Sequence, residues 1–431
     1  MDTRDVARRG ALAARELLSR PSSVKDEALD AIVRRLEAEA GPIIEANRAD
    51  LAEAERAGLP GPLRKRLRFD EAKLAESLAG LRALRDLPDP AGRILEARKL
   101  DEGLVLRRVS CPIGLVGMIF ESRPDALAQM ACLAAKSGNA VILKGGREAA
   151  NTNRALAAAI AAAGVEAGLP ESWLSLLETR EEVGALLELD EYVDLLIPRG
   201  SKEFVRSIMD RSRIPVMGHS DGVCHVYVHE DADPETAVRV VVDSKAQYPA
   251  ACNAAEVLLV HSSFARRRVG PGATNGFERL TRALEAAGVA IETSPPDWSV
   301  EYLDLRMAVK AVESLDEAIA HINRHGSGHT DAIVASDRGA AERFMNEVDS
   351  ASVYWNASTR FADGFRYGLG AEVGISTGKL HARGPVGLEG LVTYKWKLAG
   401  SGQVVADYAS GGRAFVHESL DGEVGSHYVE S

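Results

Sequence analysis

The stretch KAQYPAACNAAEVLLV, residues 245–260, holds the end of a helix, a break and a buried strand. Pro234 to Gln247 reads as a helix, and Pro249 ends it, since proline has no N–H and crowds the preceding turn. Val257-Leu258-Leu259-Val260 is an apolar run too short for an ordinary helix and suited to a buried strand. Cys252 therefore stands at a helix-to-strand joint, among the small residues Ala250, Ala251 and Asn253. From such a joint a side chain can face a cleft. The plainer alternative is a packed core thiol, because free cysteine is among the most buried residue types.

The same alternation runs through the chain on both sides. Residues 1 to 86 are rich in Ala, Leu, Arg and Glu at helical spacing. GLVLRRVSCPIGLVGMIFE, residues 103–121, is strand-like and broken at Pro112 and Gly114. DALAQMACLAAKSG reads as a helix closed by Gly138, and NAVILK, residues 139–144, as a short buried strand. Another helix, the strands WLSLLE and VDLLIP, and the helix SKEFVRSIMDRS follow. After Cys252, residues 301–337 read strand, helix, strand. LVTYKWKLA and GQVVADY are the last strand candidates, and residues 413–431 read as an extended polar tail. Strands alternating with helices predict βαβ units and mostly parallel sheets.

Length and charge narrow the function. At 431 residues the chain exceeds a typical single domain, and two or three are expected. The hydrophobic fraction of 46% permits a sizeable core. A net charge of -11 argues against nucleic acid or an anionic membrane surface as partner. Cys111, Cys132, Cys224 and Cys252 are widely spaced and form no CxxC, which predicts reduced thiols in a cytoplasmic protein. Neither the N-terminus nor the Ala-rich residues 155–168 has the apolar length of a signal or a membrane span.

Some motifs carry chemistry and others do not. GLGAEVG, residues 368–374, has the wrong spacing for a dinucleotide loop. His321, His325 and His329 fall at helical spacing, but Gly326 and Gly328 intervene and no metal site is expected. NAVILKGG places Lys144 and Gly145 at the carboxyl edge of a sheet, where open α/β sheets bind ligands. PRGSKEF opens a helix at Gly200-Ser201, whose free N–H groups suit a pyrophosphate. ESRPD, residues 121–125, and WNASTRFADGF, residues 355–365, are polar clusters after apolar runs. Each of these motifs also has an ordinary reading, as a capped helix or a solvated turn.

Taken in order, GLVGMIFESRPD, KSGNAVILKGGREAANTN, LIPRGS, PVMGHSDGVCHVYV, AACNAAEVLLV, EYLDLRMAVK, HINRHGSGHTDAIV and WNASTRFADGFRYGLGAEVGISTGKLHARGPVGLEGLVTYKW resemble the aldehyde dehydrogenase superfamily, in its acyl-phosphate-reducing branch. The resemblance covers about residues 5–415. It implies two Rossmann-like α/β domains with a small β oligomerisation arm. The cofactor-binding domain would comprise 1–102 and 119–246, with 374–390 returning to it. The catalytic domain would comprise 247–373, the arm 103–118 and 391–412, and the tail 413–431.

The resemblance also assigns roles. Cys252 matches the catalytic thiol. Lys144, with Gly145 beside it, matches the lysine at the cofactor's adenosine ribose. Gly200 and Ser201 match the turn at its phosphates, and Glu301 the glutamate at its nicotinamide ribose. Hydrolytic members carry an ELGG glutamate that activates water; VMGHSDG has none. Ser122 and Arg123 stand where those members place an oxyanion-hole asparagine. Ser122 or Asn356 is the expected oxyanion donor, and Arg123, Ser358, Thr359 and Arg360 are expected to hold substrate. The implied reaction is NADPH-dependent reduction of L-glutamyl 5-phosphate to the 5-semialdehyde, in proline biosynthesis. The implied assembly is a homo-oligomer, dimer or tetramer, with transient contact to glutamate 5-kinase. A hydrolytic or CoA-acylating enzyme and a non-catalytic scaffold are the rival readings.

Overall fold

The computed structural model describes residues 2–121, 123–219, 221–268 and 274–428, leaving aside the side chain of Pro62. Two parallel sheets organise it. The first has four strands, Leu174–Leu177, Ala140–Lys144, Leu115–Phe120 and Leu195–Arg199, in that spatial order. The second has six, in the order Ser352–Trp355, Thr330–Val334, Cys224–Val228, Ala255–His261, Arg306–Val312 and Ala290–Glu292. Every pairing within both sheets is parallel. Parallel neighbours require crossovers, and helices supply them.

The strands are apolar along their length because both faces are covered. Leu115–Phe120 and Ala255–His261 are buried at every position. Helix Pro124–Ser137 is buried nearly all round, as its Ala- and Leu-rich composition predicts, and Gly138 closes it at φ 78°. The N-terminal helices cover the first sheet through Leu29, Ile32, Leu36 and Leu81. Val373, Val386, Leu388 and Leu391 join the same core from late in the chain. No helix among the described residues is long and apolar enough to cross a membrane.

A third sheet is antiparallel, ordered Val392–Ala399, Leu104–Pro112, Ile94–Asp101 and Glu418–Ser419. Strand membership departs here from the boundaries read in the sequence. Residues 94–101 lie in this small sheet, and 115–118 lie in the first parallel sheet. Cys224–Val228, expected with the cofactor-binding part, pairs into the second sheet. The terminal segment is docked. Residues 418–419 pair with Ile94–Asp101, and the Tyr428 N–H donates to Gly92 O at 2.7 Å. GQVVADY is not a strand: Val405–Ala409 forms a short exposed helix. With no strand available beside it, the segment satisfies its N–H groups locally, through Asp407 to Val404 O and Ser410 to Ala406 O. The Gly/Pro-rich stretch HSSFARRRVGPGATNGFERL, residues 261–280, reads from its sequence as holding a surface loop, and its residues 269–273 lie outside the described residues.

Candidate active site

Cys252 lies in the turn between helix Pro234–Ala246 and strand Ala255–His261, as its sequence context predicts. The thiol is half-buried. Local bonds hold the turn: Ala254 N–H donates to Ala251 O at 2.9 Å, and the Asn253 amide to Ala362 O at 2.7 Å. Beneath it, Lys245 at the helix end and Glu256 at the strand start form an ion pair at 2.6 Å, both side chains wholly buried. Burial pushes the Glu256 carboxyl up to about 7, against the opposing pull of Lys245.

Gly222 backs directly onto this turn. A Cβ at Gly222 would lie 2.1 Å from the Cys252 carbonyl oxygen and 2.6 Å from its Cα. Only a glycine permits that approach. Cys224 follows on its strand and donates from Sγ to the same carbonyl at 3.3 Å. Cys132 is sealed in the core, its thiol pushed up to about 12 by burial. Burial also raises Cys224 well above the ordinary thiol value.

The two sheets meet at opposite edges. Glu121, Lys144 and Arg199 sit at the carboxyl ends of parallel strands in the first sheet. Cys252, Gly222 and His329 precede strands of the second sheet and mark its amino edge. Arg199 joins the two: burial lowers its pKa, while the charges of Glu372 and of Cys252 raise it. Burial lowers Arg360 too, with Cys252 again opposing. Arg360 is tied by Nε to Gln247 Oε1 at 2.9 Å and lies over the Tyr248 ring. Two guanidinium groups therefore face the field of one thiol.

The other expected residues divide. Ser358 accepts from Arg360 N–H at 3.2 Å, and Thr359 N–H donates to Ser244 Oγ at 3.2 Å, which fixes Arg360 against the helix leading to Cys252. Thr359 Oγ1 is buried with no hydrogen-bond partner among the described residues. Arg123 is exposed and makes no ion pair among the described residues. Of its conceivable partners, Asp125 is paired with Lys73 at 3.3 Å, and Glu121 accepts from Ser201 N–H at 2.9 Å. Ser122 lies outside the described residues.

Asn356 is a correction. Its Oδ1 accepts from Ala335 N–H and its Nδ2 donates to Ala335 O, both at 3.0 Å. Ala335 follows Thr330–Val334 at the carboxyl edge of the second sheet, the edge opposite Cys252. Both ends of the amide are held at that far edge, away from the thiol.

Lys144 is half-buried, its pKa lowered by burial and raised by Glu148 and Glu121. A Cβ at Gly145 would meet Asn153 Nδ2 at 2.1 Å, and one at Gly200 would meet Glu121 Oε2 at 2.5 Å. Ser201 caps helix Lys202–Arg211 through Phe204 N–H. A carboxylate thus already sits on that helix N-terminus, where backbone donors and the helix dipole favour an anion. Glu301 lies nearby: burial raises it, Asp221 raises it further, and His219 and Lys202 oppose.

Sequence reasoning missed four residues: Arg199, His219, Gly222 and Glu372. Arg199 had a signal, a cation closing the apolar run VDLLIP. Gly222 lay in plain view in HSDG, but its meaning is a contact with residue 252 that only the fold creates.

A thiol set in a strand-leading turn, between the facing edges of two parallel sheets, defines a class of cysteine-dependent α/β enzyme. Residues 22–275 match the aldehyde dehydrogenase family, to which the chain belongs. A gamma-glutamyl phosphate reductase of Pelotomaculum thermopropionicum is 54% identical over 99% of both chains. The crystal structure of the Thermotoga maritima gamma-glutamyl phosphate reductase aligns with a TM-score of 0.90 at 36% identity, covering 94% of this chain and all of that one. Within its family, then, the chain belongs to the gamma-glutamyl phosphate reductases. An acetylating aldehyde dehydrogenase of Geobacillus thermoglucosidasius shares the fold, with TM-score 0.63 at 19% identity over 93% of this chain and 97% of that one.

Proposed function

We propose that this chain is an oxidoreductase that reduces L-glutamyl 5-phosphate to L-glutamate 5-semialdehyde with NADPH, releasing phosphate. The observation that carries the proposal is Cys252, held at the head of a buried strand in a turn braced by Gly222, Asn253 and the Lys245–Glu256 pair. An acyl phosphate ending in an amino acid brings a phosphate and a carboxylate. Planar guanidinium groups bind both bidentately.

The Cys252 thiolate attacks the γ-carbonyl carbon, forming a C–S bond. The C–O bond to phosphate then breaks and phosphate leaves with the electron pair. The Cys252 backbone N–H stabilises the oxyanion. Bound NADPH supplies the hydride that reduces the thioester to a thiohemiacetal. Breaking its C–S bond releases the aldehyde and returns the thiolate. Arg123, Arg199 and Arg360 grip the substrate's anionic groups, with Ser358 and Thr359 shaping the approach.

The aldehyde dehydrogenase family uses NAD(P), and the residues present fit a dinucleotide. Lys144 would hold its ribose, the Gly200-Ser201 turn, where the Glu121 carboxylate now accepts from Ser201 N–H, would hold its pyrophosphate, and Glu301 would hold the nicotinamide ribose. The antiparallel sheet is proposed as the oligomerisation arm. Its edge strand Val392–Ala399 exposes Tyr394, Trp396 and Leu398 at alternate positions, an apolar row suited to a second copy.

Cys252→Ser tests the proposal. A hydroxyl is far less nucleophilic than a thiolate at neutral pH. The variant should lose reduction while keeping its melting temperature and NADPH affinity. Turnover like that of the wild type would sink the covalent route.

A further inference from the structure

We propose that Cys252, His219 and His329 form a binding site for a thiophilic divalent cation such as Zn2+, which reversibly blocks the enzyme. One ligand atom from each of the three lies within 4.8 Å of the others. The residues come from three separate segments: the loop before Cys224–Val228, the turn before Ala255–His261, and the residue before Thr330–Val334. One sulfur and two imidazoles are a donor set that soft divalent metals prefer over Mg2+ or Ca2+.

The second atom of each ring is already engaged. His219 Nδ1 lies 2.8 Å from Ile375 O. A carbonyl only accepts, so Nδ1 carries the proton and Nε2 presents its lone pair. His329 Nδ1 lies 2.8 Å from Thr330 Oγ1. His329 is 1% exposed, yet its Nε2 has no hydrogen-bond partner among the described residues. A buried polar atom left unpaired carries a desolvation cost, which a metal bond at Nε2 removes. The two rings meet edge to face with centroids 4.9 Å apart. The Ile375 carbonyl fixes the tautomer of His219, and the Thr330 hydroxyl, which can accept from Nδ1, orients the His329 ring, as outer partners of metal-binding histidines do. His329 is also separated from the helical pair that its spacing suggests: His321 packs against His325 instead, with tilted rings whose centroids are 4.6 Å apart.

Metal–ligand bonds of about 2.0–2.3 Å in a tetrahedron require donor atoms roughly 3.3–3.6 Å apart. The present spread closes by about an ångström of side-chain rotation, and Cys252 Sγ has no hydrogen bond among the described residues to hold it back. Binding releases the thiol proton to solvent and places the sulfur lone pair on the metal. That lone pair is the one the proposed attack on the acyl phosphate needs, so the bound state is inactive. The inhibition rests on the proposed function, whereas the binding does not. Three protein ligands leave a fourth position for water or a phosphate oxygen.

The test uses the full chain, with Zn2+ binding measured by competition against a chromophoric chelator and Co2+ as a spectroscopic probe. The expected result is one metal per chain, a near-ultraviolet thiolate-to-Co2+ band that Cys252→Ser abolishes, and loss of turnover reversed by EDTA. Mg2+ should have no such effect. His329→Gln and His219→Gln should each weaken Zn2+ binding at least tenfold while their melting temperatures report folding. If His329→Gln fails to fold, the half-buried His219 decides. No thiolate band and no Zn2+ binding up to about 1 mM would overturn the site, as would unchanged affinity in a folded histidine variant. A metal-binding wild type with no activity on glutamyl phosphate would refute the proposed function and leave the site standing.

Discussion

Gly222→Ala perturbs the site without touching any reacting atom. The new Cβ would start 2.1 Å from the Cys252 carbonyl oxygen, whereas real Cβ contacts essentially never fall below 3.0 Å. Something must therefore move by at least the difference, about 0.9 Å. The obstructing atoms are backbone, so no side chain can rotate away. The Cys252 turn is tied to Ala362 through Asn253 and floored by the Lys245–Glu256 pair, so the displacement falls on the turn or on residues 221–223. A misplacement of about 1 Å at a catalytic group can cost roughly a hundredfold in rate. Overpacking of this sort typically costs about 1–3 kcal/mol of stability. Steady-state reduction of glutamyl phosphate, with a thermal melt on the same preparation, reads both. The expected outcome is kcat reduced about a hundredfold, a modestly lower Tm and NADPH affinity within a few-fold of the wild type. A kcat within twofold of wild type would refute the claim that this glycine fixes the nucleophile.

Glu256→Gln should be severely destabilising above about pH 7, where the carboxylate is ionised. It strands the Lys245 ammonium in a dry interior, and breaking a buried pair typically costs about 3–5 kcal/mol. Replacing both partners with apolar residues of similar size should restore most of the loss, and a double variant no more stable than the single one would contradict this reading. Because burial raises the folded-state pKa of Glu256 to about 7, above its unfolded value, the folded form keeps a proton that the unfolded form has lost. Its contribution to stability is present at low pH and fades as pH rises toward 7; urea melts across that window should show a slope that Glu256→Gln removes. Glu301→Ala should lower turnover and weaken NADPH handling with little change in Tm, and an unchanged cofactor Michaelis constant would remove Glu301 from the cofactor site. Arg123→Ala and Arg199→Ala should each raise the Michaelis constant for glutamyl phosphate about ten- to over a hundredfold, matching the roughly 1.5–3 kcal/mol of a charge-assisted contact. A loss of thermal stability with unchanged phosphate affinity would mark either arginine as structural.

Local chemistry was legible in the sequence wherever one segment decided it. Pro249 and the run 257–260 located Cys252 in its turn, and Gly138 ended its helix as expected. Membership of sheets was not legible in the same way. Cys224–Val228 reads as a strand from its own residues, but its place in the second sheet depends on pairing with Ala255–His261 and Thr330–Val334. Nothing local distinguishes the two sheets, because both are apolar and parallel. The same limit hid the site's less obvious members. Arg199, Gly222, His219 and Glu372 acquire meaning only when the carboxyl edge of one sheet meets the amino edge of the other. Asn356 failed for the complementary reason. Its residue type suits an oxyanion hole, but its strand delivers it to the far edge, where the Ala335 backbone takes both ends of its amide.

The central claim is that Cys252 carries a thioester exchanged with phosphate. The reverse reaction tests it most directly. Purified protein is mixed with glutamate 5-semialdehyde and NADP+, with phosphate, with CoA or with neither, and NADPH formation is followed. The account predicts NADPH formation that saturates with phosphate and disappears in Cys252→Ser. Equal turnover without phosphate, or turnover that requires CoA, would contradict it.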